Sequence, residues 1–368
     1  ENKISKDDIK KIQNILNSII KRQDSIRVIP LSSLDEKLSH KQNWCLHVIG
    51  KEMSNVTIQK FCQSSQRLDN GFLLSIIGSN GQKYTFHLLR GEVFRLLRSD
   101  QFTNLLNSLM EIKIVQRKIV LLSKNVFIIS FLKNNIQLFD FVSSYYKSQN
   151  QEIEINPQIL SKYDELPIKK RIRKLNQLQS TINHDGLKNA FLVTSKSSSS
   201  WIKRSTLFTR SFGILSMFSY ILGNIESSPK GILINKTTGI ATYTNFLVKG
   251  SSHPVPFRLT PLIISSFGTS GVKGPFYTEL GRALKIIRKN SIGLAVCLQF
   301  AISDSPFEPS LIPNQFYAKF TGKEKEKSEI DEVYERIQND KDNKIDNLII
   351  NAQSIINLAQ MPKSWRAW

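Results

Sequence analysis

"GILINKTTGIATYTNFLVKG", residues 231–250, is the stretch on which the fold turns. Two apolar runs, Ile232–Ile234 and Ile240–Tyr243, flank Thr238-Gly239. That pattern reads as a β-hairpin, because glycine accepts the positive φ of a tight turn. Upstream, "STLFTRSFGILSMFSYILG" (205–223) is an apolar helix, long enough to be buried and too short to span a bilayer. Downstream, Pro254, Pro256 and Pro261 fix an extended segment around Phe257 and Arg258. "GPFYTELGRALKIIRK" (274–289) then repeats Phe276, Leu280, Leu284 and Ile287 at helical spacing.

Towards the N-terminus the texture is β-rich. "GFLLSIIGSNGQKYTFHLL" (71–89) is a second hairpin around Asn80-Gly81. "KIVLLSKNVFIISFL" (118–132) gives two more strands around Ser123–Asn125. Residues 5–21 read as a helix, with Ile9, Ile12, Leu16, Ile19 and Ile20 on one face. The chain is therefore α+β. A mostly antiparallel sheet reaches to about residue 142, and a helical region carrying one hairpin follows. "KKRIRKLNQLQ" (169–179) is a basic helix, and residues 322–345 are a charged run expected to be an exposed linker or a mobile helix. An apolar stripe follows: Ile345, Leu348, Ile349, Ala352, Ile355, Ile356 and Ala359. After it, Trp365 and Trp368 make sense at a chain end only if docked.

Composition narrows the function. With 368 residues and 40% hydrophobic content the chain supports about two domains. Its first residue is Glu rather than Met, so it reads as a fragment of something longer. A formal charge of +21 favours phosphate-rich or acidic partners. Three scattered cysteines and five scattered histidines argue against a disulfide framework and a metal centre; no cofactor is expected. No apolar run reaches the ~18 residues of a membrane span, and the chain reads as soluble and intracellular. The basic run Lys169–Lys174 has the composition of a nuclear-import or nucleic-acid patch. No aromatic residues interleave with it, and a solvated helix face is the simpler reading. "SKSSSSW" (195–201) reads as a loop in which phosphorylation is conceivable.

The order of these parts resembles the phosphatidylinositol 3-kinase-related kinases. "IIGSNGQKYTFHLLRG" (76–91) resembles that family's strand pair leading to the ATP lysine. "VPFRLTPLIISSFGTSGVKGPF" (255–276) resembles its activation segment, and "NLIINAQSIINLAQMPKSWRAW" (347–368) its FATC tail. Within the family the tail is similar to the TRRAP-type transcription cofactors, which are pseudokinases. The resemblance implies a bilobal protein-kinase-like (PI3/PI4-kinase-like) fold with a C-terminal helical FATC segment. On that basis residues 1–44 are a helical lead-in, 45–142 a small lobe, 143–321 a large lobe, 322–345 a charged linker and 346–368 the FATC.

Phosphoryl transfer is mostly positioning and charge neutralisation, so its parts are few. By resemblance the ATP-lysine position holds Arg90, whose planar fork has a different reach at a phosphate site. The catalytic loop reads "LGNIESSPKGILIN" (222–235). Counting back from the strand places Gly231 at the metal-binding Asn and Glu226 at the catalytic Asp, whereas counting forward from Gly223 places Asn224 there. Asn245 occupies the position of the Asp in Asp-Phe-Gly. A neutral amide does not neutralise magnesium's charge, and Gly231 has no side chain to offer. The expectation is a pseudokinase. The competing enzyme reading, a divergent active kinase, would have to recruit Glu226, Asp100 or Asp140.

The resemblance further implies a large scaffold of SAGA-type and related histone acetyltransferase complexes in the nucleus. Its partners would be other subunits of such a complex, the FAT and helical-repeat regions of its own full-length chain, and transcription activators through the parent protein. No membrane contact and no direct nucleic-acid readout are expected. Phe257, Arg258 and Pro261 are expected to pack against the tail, and Trp365 and Trp368 to dock. A third class, a basic module binding nucleic acid nonspecifically, would show binding that falls steeply with salt.

Overall fold

The computed structural model describes residues 28–30, 58–61, 64–68, 71–78, 80–90, 94–123, 126–130, 132, 134–150, 163–181, 183–223, 229–244, 246, 254–291, 293–294, 297, 335–337 and 344–361. The expected helix at 5–21 and the tryptophans Trp365 and Trp368 lie outside them. The contacts divide the chain into two units, residues 1–97 with 117–133, and residues 98–116 with 134–368. The boundary read from the sequence at residue 142 falls inside the second.

Among its described residues the first unit holds an antiparallel sheet of seven strands, β1 (Val28–Pro30), β2 (Ile58–Phe61), β3 (Ser64–Leu68), β4 (Gly71–Gly78), β5 (Lys83–Arg90), β6 (Ile119–Ser123) and β7 (Val126–Ser130). Their order is β1-β3-β4-β5-β7-β6, with β2 also pairing β4. The predicted β4–β5 hairpin forms, and Gly81 takes the positive φ at its turn. Period-two alternation sets the register: Leu74 faces Phe86 across this pair, and Leu88 faces Ile128 of β7. All four are buried. On the alternate positions Phe127 and Ile129 pack with Leu89, Leu96 and Ile119, so the sheet is apolar on both faces. His87 shares that second set, and burial, followed by the charge of Arg117, lowers its pKa.

Helix α1 (Phe94–Leu109) runs from the first unit into the second. The second unit continues with β8 (Asn135–Gln137), α2 (Leu138–Ser148), α3 (Ile168–Thr181), α4 (Gly186–Val193) and α5 (Ser198–Leu222). It then has β9 (Ile232–Asn235), β10 (Ala241–Tyr243), α6 (Pro261–Ser265), α7 (Pro275–Lys289), α8 (Lys344–Gln353) and α9 (Ile355–Gln360). Helix α5 is the spine. It is buried from Phe208 almost to its end, as a helix apolar on all sides must be. Phe208, Phe212, Phe267 and Phe276 form an aromatic chain that joins α5 to α7, with ring centroids 5.0 to 6.4 Å apart.

Two expectations need correcting. The charged run 322–345 is not wholly an exposed linker, because Ile337 is fully buried and Arg336 is nearly so. Arg336 donates to the carbonyls of Tyr220 and Ile221, both 3.2 Å away, which are acceptors left open at the C-terminal end of α5. The apolar stripe is also two helices rather than one. Ser354 interrupts it and caps α9 by accepting from the Asn357 N–H. Ile356, a member of the stripe, faces solvent and is 56% exposed.

Candidate functional site

The central hairpin forms as read, with Ile232 paired to Tyr243 and Ile234 to Ala241, and β8 added on its other edge. Its turn is held by Asn235, whose Oδ1 accepts from the N–H groups of Thr237 (3.0 Å) and Thr238 (2.9 Å). Gly239 has φ +82°, and a β-carbon there would lie 2.3 Å from the Arg204 carbonyl oxygen. Only glycine fits, and the turn therefore rests directly on the α5 backbone. Farther along, the Ala241 N–H donates to Ser211 Oγ at 2.9 Å, fastening the strand to the same helix.

Of the two positions expected to hold metal, the structure describes Gly231, at the open end of the hairpin. Gly231 is buried and immediately precedes β9, and its carbonyl accepts from the Thr244 N–H at 2.8 Å. Asn245 is the next residue after Thr244 and lies, with Asn224 and Glu226, outside the described residues. Phe246 is buried, its ring 5.6 Å from that of Tyr243. Magnesium asks for several oxygen ligands in tight octahedral geometry. Gly231 has only a carbonyl, already committed to the hairpin, and offers the ion no side-chain oxygen. Among the described residues no three His, Cys, Asp or Glu side chains are grouped as a metal site.

Arg90 ends β5 in the first unit, paired with Val126. Of the three carboxylates open to a relocated catalytic role, the two that are described, Asp100 and Asp140, have structural surroundings. Asp100 is buried on α1, and its Oδ2 accepts from Asn104 Nδ2 at 3.0 Å. Asp140 is exposed in the first turn of α2, where the helix dipole favours an anion.

The segment downstream of the hairpin is deeply packed. Phe257 is fully buried with its ring 6.2 Å from Phe276, and Arg258 is among the largest fully buried side chains. Thr260 and Pro261 start α6, with proline at the first helical position, where its missing N–H costs nothing. Val255 joins Tyr163, Leu175, Leu358, Ala359 and Met361 in a separate apolar cluster, so the segment and the tail touch there. The basic helix α3 takes part. Arg171 donates to Leu166 O (2.8 Å) and Ala359 O (3.4 Å), and its guanidinium lies 5.5 Å from the Tyr163 ring centroid. Lys169, Lys170 and Arg173 remain exposed.

Sequence reasoning missed a four-charge network in the second unit. Glu279 of α7 is almost completely buried and accepts from Arg210 of α5 (2.6 Å) and Arg282 (3.1 Å), while Arg282 also reaches Glu111 (2.6 Å). The spacing of Glu279 and Arg282 was the only sequence signal for it.

Residues 95–308 match the family model described as phosphatidylinositol 3- and 4-kinase. The Oryza sativa serine/threonine-protein kinase TOR is 25% identical over 325 residues, covering 79% of this chain and 13% of that protein. The Kluyveromyces lactis serine/threonine-protein kinase MEC1 is 24% identical over 264 residues, covering 65% of this chain and 11% of that protein. The chain thus spans only a small part of the length of these relatives. A solved structure described as the FAT and kinase domain of CtTel1 superimposes with a TM-score of 0.76 over 98% of this chain and 28% of that one. At 18% identity this likeness shows the fold, that of the PI3/PI4 kinases.

Proposed function

The chain belongs to the phosphatidylinositol 3- and 4-kinase family, and from that premise we propose that it keeps the kinase fold without the phosphotransfer chemistry. Gly231 carries the reading. It is tied by its carbonyl to Thr244, and neither it nor Asn245, the next residue in sequence after Thr244, carries an anionic side chain for a metal. Arg90 in place of lysine points the same way.

The finer reading is a TRRAP-type pseudokinase. It would be part of a large nuclear scaffold that joins transcription activators to SAGA-type and related histone acetyltransferase complexes, and the "NLAQMPKSWRAW" tail supports this. Its partners would be subunits of that complex and the FAT and helical-repeat regions of its own parent chain. Among the described residues no helix is long and apolar enough to cross a membrane.

One observation favours a divergent active kinase instead. Since β9 begins directly after Gly231, the count back from the strand puts a carboxylate, Glu226, at the catalytic position. Calorimetric titration of the chain with ATP, with and without magnesium, separates the two. The pseudokinase reading expects no magnesium-dependent heat from a protein shown to be folded by circular dichroism. Micromolar binding that requires magnesium, with phosphate transfer to a protein substrate, would establish the active kinase.

A further inference from the structure

Arg204 is a buried cation that pairs with no anion among the described residues. It sits in the second turn of α5, 5% exposed. One guanidinium nitrogen donates to Ser195 Oγ at 2.8 Å and to Thr194 Oγ1 at 3.1 Å. Those hydroxyls donate onward to the carbonyls of Phe191 and Ala190 at the end of α4, each at 2.7 Å. The guanidinium also lies 5.4 Å from the Phe191 ring centroid. No carboxylate of a described residue pairs with it, although a buried charge held only by neutral groups is costly.

The loop above Arg204 is "TSKS", residues 194–197; the stretch 195–201 read as a loop is one only to Ser197, because Ser198 to Trp201 already form the first turn of α5. Lys196 and Ser197 to Ser199 are exposed, and Ser195 is half-buried. Ser197 caps α5, its Oγ accepting from the Ser200 N–H at 3.2 Å. The positive end of a 25-residue helix therefore opens onto the same loop. The Arg204 guanidinium contacts Ser195, Lys196 is its neighbour in the chain, and the short α4, ending at Val193, opposes them with its carbonyl end.

We propose that Ser195 is a phosphorylation site whose phosphate is held by the Arg204 guanidinium. A protein kinase acting in trans would use a nucleoside triphosphate. The bond from the γ-phosphorus to its bridging oxygen breaks as the Ser195 Oγ–phosphorus bond forms, the diphosphate leaves, and the hydroxyl proton passes to solvent. Ser195 gives up its donation to Phe191 O, and Arg204 exchanges a neutral acceptor for an anion with charge-assisted bonds. The site lies at the turn end of the β9–β10 hairpin, where Gly239 meets Arg204, and away from Gly231.

The test compares the 368-residue chain carrying phosphoserine at position 195, installed during translation, with the unmodified chain. The modified chain is expected to melt roughly 2–4 °C higher. The gain should vanish in Arg204→Gln and shrink in Arg204→Lys, which keeps the charge but loses the fork. Phosphoserine at Ser199 meets the helix end alone, and its effect should be indifferent to Arg204. An unchanged or lowered melting temperature for the Ser195 form overturns the proposal, as does an equal gain in Arg204→Gln. Should Arg204→Gln fail to fold, an undiminished gain in Arg204→Lys overturns it. Peptide mass mapping of the chain from its source cells should find the phosphate on Ser195. Phosphate confined to the neighbouring serines would refute the assignment.

Discussion

Tyr163 shows how one buried polar atom sets a pH response. Its hydroxyl is enclosed and has no hydrogen-bond partner among the described residues. Burial pushes its pKa up to about 12, with Arg171 opposing and Asp164 assisting. An unfolded tyrosine ionises near pH 10, so stability contributed by the neutral phenol is intact below pH 10 and is lost as pH rises from 10 to 12. Tyr163→Phe is expected to cost no stability at pH 7 and to decline less steeply between pH 10 and 12, read by urea unfolding at stepped pH. At this scale the sequence was uneven in what it disclosed. Gly231 and Asn245 were readable because a motif assigns them a place. Arg204 was not, since its significance lies in the absence of any paired carboxylate among the described residues, which no motif announces.

Among elements, the ties that matter are charged as well as apolar. Glu279 joins α7 to α5 through Arg210, and Glu111, just past α1, joins in through Arg282. Glu279→Gln leaves two arginines around a neutral amide. Both arginines are partly exposed and so partly screened, and the expected loss is about 2 kcal/mol, measured as a shift in urea midpoint. The regular elements themselves were legible. Alternation gave β4 to β7, Thr238-Gly239 gave the central hairpin, and four-residue spacing gave α7. The break at Ser354 was not, because an unbroken apolar pattern hides a cap that only the Asn357 N–H reveals. The burial of Ile337 was equally hidden, a lone apolar residue in a run otherwise read by its charge.

For the whole molecule, chain order and spatial unit do not coincide, since residues 98–116 leave the sheet unit and the chain then returns to it at 117. Composition could not show this, because α1 carries one helical pattern through the change. The tail belongs to the second unit. Leu348, Ile349 and Ala352 enter its main core, and Leu358, Ala359 and Met361 form the cluster with Val255. Removing residues 344–368 uncovers both, and a fall in melting temperature on the order of 10 °C is expected by calorimetry. The interruption at Ser354 also makes the tail a jointed strap with two unequal fastenings. Helix α9 holds α3 through a small apolar cluster and one long hydrogen bond from Arg171. Helix α8 is set into the main core and pinned by Asp346, which accepts from Tyr277 of α7 and from Lys273 just before that helix. Force applied at the C-terminus would peel the outer fastening first and leave the inner one closed, so a tug on this chain is taken up in steps.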